Sequence, residues 1–190
     1  MSLTTVAVLV VLFLVAAYAV TLYNALVRLK HGVSKAWSNI DVLLKQRHEE
    51  LPKLVETCKQ YMQHERTTLE QVIAARNAVA SASQKGDMQA LGQAETGLRA
   101  GLGQLFALAE NYPQLKANES FQHLQQRISG LENGIADRRE LYNEAVNLNN
   151  VRIEQFPDVL IARFFAFKAA ELLQFSDAEK ADVDLKQLFR

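Results

Sequence analysis

Residues 3–22 read LTTVAVLVVLFLVAAYAVTL and contain no acidic, basic or histidine side chain. The chain has 21 Lys and Arg residues and 21 Asp and Glu residues, and all of them follow Val27. As a helix rising about 1.5 Å per residue, this stretch would cross the roughly 30 Å apolar core of a bilayer. We therefore predict a transmembrane anchor over residues 1–27.

Two other interpretations compete for the same stretch. Ala17, Tyr18 and Ala19 form the small-x-small pattern of a signal-peptidase site. However, no Lys or Arg precedes the apolar run, and the run continues beyond Ala19. A buried soluble helix that is apolar all round would need a larger surrounding protein. A retained anchor is therefore favoured.

The charges that follow the anchor predict its orientation. Arg28, Lys30 and Lys35 come directly after it, whereas the first acidic residue is Asp41. Basic residues stay on the cytoplasmic side of a membrane. We expect a single-pass protein of the bacterial cytoplasmic (inner) membrane, with its N-terminus outside and its C-terminal domain in the cytoplasm.

The next part of the chain has a heptad pattern. Between Val33 and Val79, residues of packing size recur at alternating intervals of four and three, which is typical of a helix that packs along one stripe. The pattern predicts one long helix, continuous with the anchor and interrupted only at Pro52. Its inner positions are Trp37, Ile40, Leu44, Arg47, Leu51, Leu54, Cys58, Met62, Glu65, Leu69, Val72 and Arg76.

A second helix is predicted from Met88 to about Asn111. Gly86 suits the end of the preceding helix, and Asp87 suits an N-cap. Pro113 ends the second helix, because the residue before a proline disfavours helical geometry. Three glycines weaken this helix by about 1 kcal/mol each, and close approach of a neighbouring helix is the expected compensation. They are Gly97, Gly101 and Gly103.

A third helix is predicted to begin near Asn118, to end at Phe156-Pro157 and to pack against the first. Pro157 and Asp158 can start a fourth helix, and Ser176 to Glu179 fits a capping box that starts a short C-terminal helix or tail over 176–190. The predicted fold is all-α, with a single N-terminal transmembrane helix continuing into an elongated antiparallel helical bundle over 28–175.

Several charged residues occupy positions of the packing stripe or lie beside it. A charge removed from water needs a partner, so these residues predict interhelical ion pairs, for example Arg138 with Glu65 or Glu70. The alternatives are side chains that reach the edge of the bundle and a polar groove for a ligand or partner. The candidates are Arg47, Glu65, Glu70, Arg76 and Arg138.

An aromatic and basic cluster is the candidate contact surface. Aromatic side chains flanked by basic ones suit a helix that lies at anionic headgroups or against a partner, although core packing is the alternative. The cluster consists of Arg163, Phe164, Phe165, Phe167 and Lys168.

The sequence gives no support for catalysis, a cofactor or a metal. His64-Glu65 begins like a zinc-peptidase motif, but Thr68 stands where the second histidine would be required. Cys58 lies on the packing stripe as a small apolar core residue and has no second cysteine to pair with. The formal net charge of zero argues against a nucleic-acid binder, which would need a surplus of basic residues. We therefore expect a protein that is not an enzyme.

Short motifs from residue 23 to about 157 resemble the signature of the LemA family. They are Tyr23-Asn24 with Leu26-Val27, Ala36-Trp37-Ser38-Asn39-Ile40-Asp41-Val42, Leu44-Lys45 with Arg47, Leu51-Pro52, Leu54-Val55-Glu56-Thr57, Tyr61, His64-Glu65, Thr68-Leu69-Glu70, Ala75-Arg76, Tyr112-Pro113, Leu115-Lys116-Ala117-Asn118, Phe121, Tyr142-Asn143 and Phe156-Pro157. The resemblance implies a membrane helix, an antiparallel helical domain and no established enzymatic activity. It also implies an association with membrane organisation, including magnetosome membranes, and with membrane-protease neighbours.

The sequence thus predicts a membrane-anchored scaffold or adaptor whose helical domain contacts other proteins or copies of itself. The alternative is an accessory regulator of a membrane protease or envelope-stress system. The expected partners are membrane lipid, further copies of the chain, and a membrane protease or other envelope protein.

Overall fold

The computed structural model describes residues 2–174, which form six α-helices and no strand. The all-α prediction is therefore confirmed for this part of the chain. The predicted C-terminal helix or tail, with its capping box at Ser176, lies outside the described residues. The helices are α1 (Leu3–Lys59), α2 (Arg66–Lys85), α3 (Met88–Ala109), α4 (Pro113–Lys116), α5 (Glu119–Glu154) and α6 (Asp158–Phe164).

Helix α1 begins in the apolar stretch and continues for 57 residues. It passes Gly32 and includes Pro52, so the predicted continuation of the anchor into the first soluble helix is confirmed. The side chains of residues 3–18 are exposed. Its apolar part is long and apolar enough to cross a membrane. The boundary between anchor and bundle at residues 27 and 28 stays a prediction, because the helix has no break there.

One long helix up to Val79 is a wrong prediction, because α1 ends at Lys59 and α2 begins at Arg66. The chain folds back between them, since Arg76 of α2 donates from Nε to the carbonyl oxygen of His48 in α1 at 2.9 Å. Met62 is buried in the turn. The apolar stripe runs through this turn without interruption, so its spacing does not distinguish a continuous helix from a helical hairpin.

The helix ends after this hairpin follow the local sequence signals. Gly86 has a φ of 67°, and its N–H donates to carbonyl oxygens of the last turn of α2. The Asp87 carboxylate accepts from the N–H of Ala90 at 2.8 Å and caps α3. The Asn118 side chain accepts from the N–H of Phe121 at 3.0 Å and caps α5. The predicted starts of α3 and α5 are confirmed.

The described helices pack into two compact units. The first combines the residues up to Asn39 with Glu140–Leu172, and the second consists mainly of Ile40–Arg139. In the second unit α1 and α5 are antiparallel neighbours. The amide of Asn118, just before α5, donates to the hydroxyl of Tyr61, just after α1, at 3.1 Å, and farther along the pair Arg47 of α1 contacts Glu132 of α5 at 2.5 Å. The predicted packing of the third soluble helix against the first is therefore confirmed. Buried side chains of this unit include Leu51, Leu54, Leu91, Leu98, Leu105, Leu115, Phe121 and Ile128.

Candidate functional site

A buried charge cluster joins three helices of the second unit. Arg47 of α1 is 1% exposed. Its Nη1 donates to Glu95 Oε2 of α3 at 3.0 Å and to Glu132 Oε1 of α5 at 2.5 Å, while its Nη2 donates to Glu95 Oε1. Arg99 Nε lies 3.6 Å from the second carboxylate oxygen of Glu132. The cluster therefore fixes α1, α3 and α5 to one another.

The carboxylates keep Arg47 charged inside the protein. Burial alone would lower the pKa of Arg47, but the charges and hydrogen bonds of Glu95 and Glu132 outweigh that effect and raise it. A buried ion pair adds little net stability when both partners are present, and losing one partner costs several kcal/mol. The cluster is thus suited to fixing the helix register.

Arg76 and Glu65 contact other elements through uncharged partners. Arg76 donates to the His48 carbonyl and, from Nη1, to the side-chain oxygen of Asn77 at 3.1 Å. The Tyr112 hydroxyl donates to Glu65 Oε1 at 3.3 Å. Arg76 therefore joins the two helices of the hairpin, and Glu65 links the turn of the hairpin to Tyr112.

The structure does not bring Arg138 to Glu65 or Glu70. Glu70 pairs with Arg66 of its own helix at 2.8 Å, and both side chains are exposed. Arg138 is exposed on α5, roughly 30 Å along the helix from its start near Tyr61. The reason is the hairpin, which removes Glu65 and Glu70 from the helix that α5 accompanies.

Three members of the buried charge cluster were not predicted from the sequence, namely Glu95, Arg99 and Glu132. Glu95 had a detectable signal, because it lies four residues after Leu91 and three before Leu98 on the buried face of α3. Glu132 and Arg99 lie beside the buried stripes of their helices, so periodicity gives no signal for them.

The single cysteine of the chain is a core residue. Cys58 is fully buried, and burial raises the pKa of its thiol to about 12. The prediction that it is a core residue is confirmed. Residues 2–174 contain no group of three His, Cys, Asp or Glu side chains placed to hold a metal ion.

A second polar and aromatic site lies in the first unit. The Tyr23 ring centroid is 4.7 Å from that of Phe165 and 5.8 Å from that of Phe167. These rings border an open groove of about 640 Å³. The groove is basic, because its other lining residues include Lys30, His31 and Lys168.

The segment after α6 is held against α5 by backbone hydrogen bonds. The Asn150 side chain accepts from the N–H of Ala170 and donates to its carbonyl, both at 2.9 Å. The Tyr142 hydroxyl donates to the carbonyl of Glu171 at 2.8 Å. The Tyr142 ring also packs edge-on against Trp37 of α1, with centroids 5.8 Å apart. The segment therefore returns along the α1–α5 pair.

The structure divides the five residues of the predicted contact surface. The rings of Phe165 and Phe167 pack against Tyr23, but Phe165 is still 51% exposed. Arg163, Phe164 and Lys168 are also exposed. Phe156 and Leu160 are exposed as well as Phe164, although the sequence did not predict them as part of this surface. A contact role therefore stays a prediction for the exposed residues.

The chain is similar to a protein family and to individual proteins of two bacteria. The family model described as the LemA family matches residues 36–186, a range that begins after the first motif recognised in the sequence and extends beyond the last. Two proteins of Paramagnetospirillum magneticum, named magnetosome proteins MamQ 1 and MamQ 2, are each 33% identical over 105 residues, covering 55% of this chain and 39% of the relative.

A third relative is the magnetosome protein MamQ of Magnetospirillum gryphiswaldense, 28% identical over 102 residues, covering 54% of this chain and 38% of the relative. The chain thus spans about two fifths of the length of these relatives. Because the family model covers well over half of the chain, this protein belongs to the LemA family.

Proposed function

We propose that this protein is a membrane-anchored scaffold that assembles with copies of itself through an exposed apolar stripe on α5. The stripe consists of Leu141, Leu148 and Val151, which are 49%, 54% and 45% exposed. Their spacing of seven and three residues is that of a helix seam that packs against another helix. These three apolar side chains, exposed on a helix whose other large apolar residues are buried or half-buried, are the observation that carries the proposal.

A second copy is the occupant that the surface fits best. An open groove of about 440 Å³ lies beside the stripe, between Ala25 and Leu29 of α1 and Leu148 and Val151 of α5. A two-fold interface places the same patch on both subunits, so the stripe of each copy can enter the groove of the other. Anchors in one membrane also keep the copies parallel and raise their effective concentration.

The setting at a membrane supports the same role. The apolar helix and the family assignment identify a membrane-associated helical protein. The basic residues after the anchor favour a domain on the cytoplasmic face of a bacterial inner membrane. The similarity to proteins named for magnetosomes supports a role in membrane organisation. The proposed role is non-enzymatic.

The test is the oligomeric state of the full chain in mild detergent and in nanodiscs, measured by light scattering and by mass photometry. The variant Leu148→Asp with Val151→Asp should dissociate the homomer, because two charges would be buried at the interface. Asn133→Asp is the matched control, since Asn133 is exposed on the same helix eight residues before the stripe begins. Circular dichroism should show the same helicity for all three proteins.

Two results would overturn the proposal. One is a wild-type chain that stays monomeric at every concentration. The other is a homomer that the double variant leaves intact. Isolation of a defined complex with a membrane protease, without self-association, would favour the accessory-regulator role instead.

A further inference from the structure

Helix α6 and the residue two places before it present an uncovered apolar face. Phe156, Leu160 and Phe164 are 80%, 60% and 81% exposed. Leu160 and Phe164 are four residues apart and therefore lie on one side of the helix. We refer to these three residues as the α6 apolar face. Large apolar side chains grouped in this way mark a contact surface.

The α6 apolar face lies next to the point where α1 leaves the predicted membrane span. Trp37 packs on Tyr142, and moving about 12 residues, or roughly 18 Å, along the antiparallel pair leads to Ala25 on α1 and to the end of α5. Ala25 and Gln155 accordingly line one groove. Helix α5 therefore ends at the level of the residues that directly follow the apolar stretch.

The other end of α6 is fixed at the same level. Phe165 packs on Tyr23, and Phe164 packs on Phe165 with centroids 4.9 Å apart. Tyr23 directly follows Leu22, the last residue of the apolar stretch. Tyrosine is enriched at the boundary between hydrocarbon and headgroups. Both ends of α6 thus lie within a few residues of the membrane exit.

The charges around α6 are mostly positive. Arg163 and Lys168 are exposed beside the apolar face, and Arg28 is exposed on the adjacent part of α1. Asp158 is buried, and its carboxylate is paired with Arg152 Nε at 2.6 Å. Glu154 is the nearby exposed acid. This balance is suited to anionic phosphate groups.

We propose that α6 lies in the headgroup layer of the membrane that α1 crosses, with Phe156, Leu160 and Phe164 inserted among the lipids and Arg163 and Lys168 bound to anionic headgroups. The apolar part of a bilayer is about 30 Å thick and the whole bilayer about 40–45 Å, so residues just beyond a full span lie at headgroup depth. The inference depends on the membrane anchor of the proposed function and is independent of self-association.

The test uses nitroxide labels on the full chain in vesicles of phosphatidylglycerol and phosphatidylcholine. The label at Leu160→Cys reports on α6, the label at Phe13→Cys reports on the anchor, and the label at Ser81→Cys, an exposed position of α2, is the aqueous control. Cys58 does not need to be removed, because it is buried and its thiol stays protonated. The measurement is the accessibility of each label to dissolved oxygen and to a water-soluble nickel complex.

The labels at 160 and 13 should favour oxygen, and the label at 81 should favour nickel. Arg163→Gln and Lys168→Gln should each weaken docking of α6 by about fivefold in the docking equilibrium. Replacing phosphatidylglycerol by phosphatidylcholine should weaken it more than either substitution, because the attraction of both residues is lost.

Equal nickel accessibility of the labels at 160 and 81, with the label at 13 still in lipid, would overturn the inference alone. If the label at 160 is shielded from both oxygen and the nickel complex, the inference is also overturned, because α6 is then covered by protein and not by lipid. If nickel reaches the label at 13, that residue is not in the bilayer, and the predicted membrane anchor itself is contradicted.

Discussion

Arg47 and Glu95 are 48 residues apart in the sequence and form a two-point ion pair that is almost completely buried. Neither side chain has water available to replace its partner. The pair therefore fixes the register of α1 relative to α3. The contact of Arg47 with Glu132 fixes the position of α5 relative to α1 in the same way.

Replacing Arg47 should be strongly destabilising. Arg47→Met leaves the Glu95 carboxylate buried without its partner, which costs about 3–5 kcal/mol in the free energy of unfolding. The double variant Arg47→Met, Glu95→Leu should regain most of this loss, because an apolar pair of similar volume replaces the charges. The measurement is denaturant unfolding of the full chain in detergent, followed by circular dichroism.

Lys45→Ala is the matched control for that prediction. It removes an exposed ion pair with Asp41 one turn away on the same helix, which is worth about 0.5 kcal/mol or less. A double variant no more stable than Arg47→Met would contradict the prediction that the unpaired Glu95 carboxylate causes the loss of stability.

Cys58 should be unreactive in the folded protein. With its pKa raised to about 12, roughly one thiol in ten thousand is ionised at pH 8, and the side chain is buried. Iodoacetamide should therefore modify Cys58 only after unfolding, as mass spectrometry would show. Rapid modification of the native chain at pH 8 would contradict its burial.

The same thiol makes stability depend on pH in the alkaline range. The folded-state pKa lies above the ordinary value of 9.0, so the folded chain retains the proton longer than the unfolded chain. The contribution is fully present below pH 9 and is lost as the pH rises towards 12. Cys58→Ala should reduce this dependence in unfolding experiments across that range.

Replacing a glycine of α3 by alanine should change the free energy of unfolding by an amount that depends on the space around that glycine. A Cβ at Gly97 or Gly103 would have no neighbour within 4 Å, whereas one at Gly101 would lie 3.5 Å from Val72 Cγ2. The expected close approach therefore exists at Gly101 and not at the other two positions. Gly97→Ala and Gly103→Ala should each raise the free energy of unfolding by up to about 1 kcal/mol.

Gly86→Ala is the opposite case and serves as the control. Its positive φ is unfavourable for alanine, so stability should fall by about 1 kcal/mol. Thermal unfolding would measure all three substitutions. Stabilisation by Gly86→Ala would contradict the left-handed end of α2.

The return segment after α6 should loosen when Asn150 is replaced. Asn150→Ala removes both hydrogen bonds to Ala170, each worth about 1 kcal/mol. Hydrogen exchange at residues 169–172 should become faster, while exchange in α3 should not change. Asn147→Ala is the matched control, and equal exchange in both variants would contradict the role of Asn150.

Local signals predicted the helix ends well. Asp87 and Asn118 cap the helices that follow them, and Gly86 ends the helix before it, because each of these residues acts on backbone groups within a few positions. The hairpin after Lys59 was not predicted, since its apolar stripe continues through the turn. The partners of Arg47 were not predicted either, because Glu95 and Glu132 reach it only through tertiary packing.

The sequence by itself determined that the chain is helical and that its first helix is apolar enough to cross a membrane. These properties depend on composition and on spacing along one helix, which are local. The tertiary structure decided that α2 folds back on α1, that Arg47 meets Glu95 and Glu132, and that the α5 stripe and the α6 apolar face stay uncovered. Periodicity shows which residues share a helix face, but only the packing of helices decides which faces are buried.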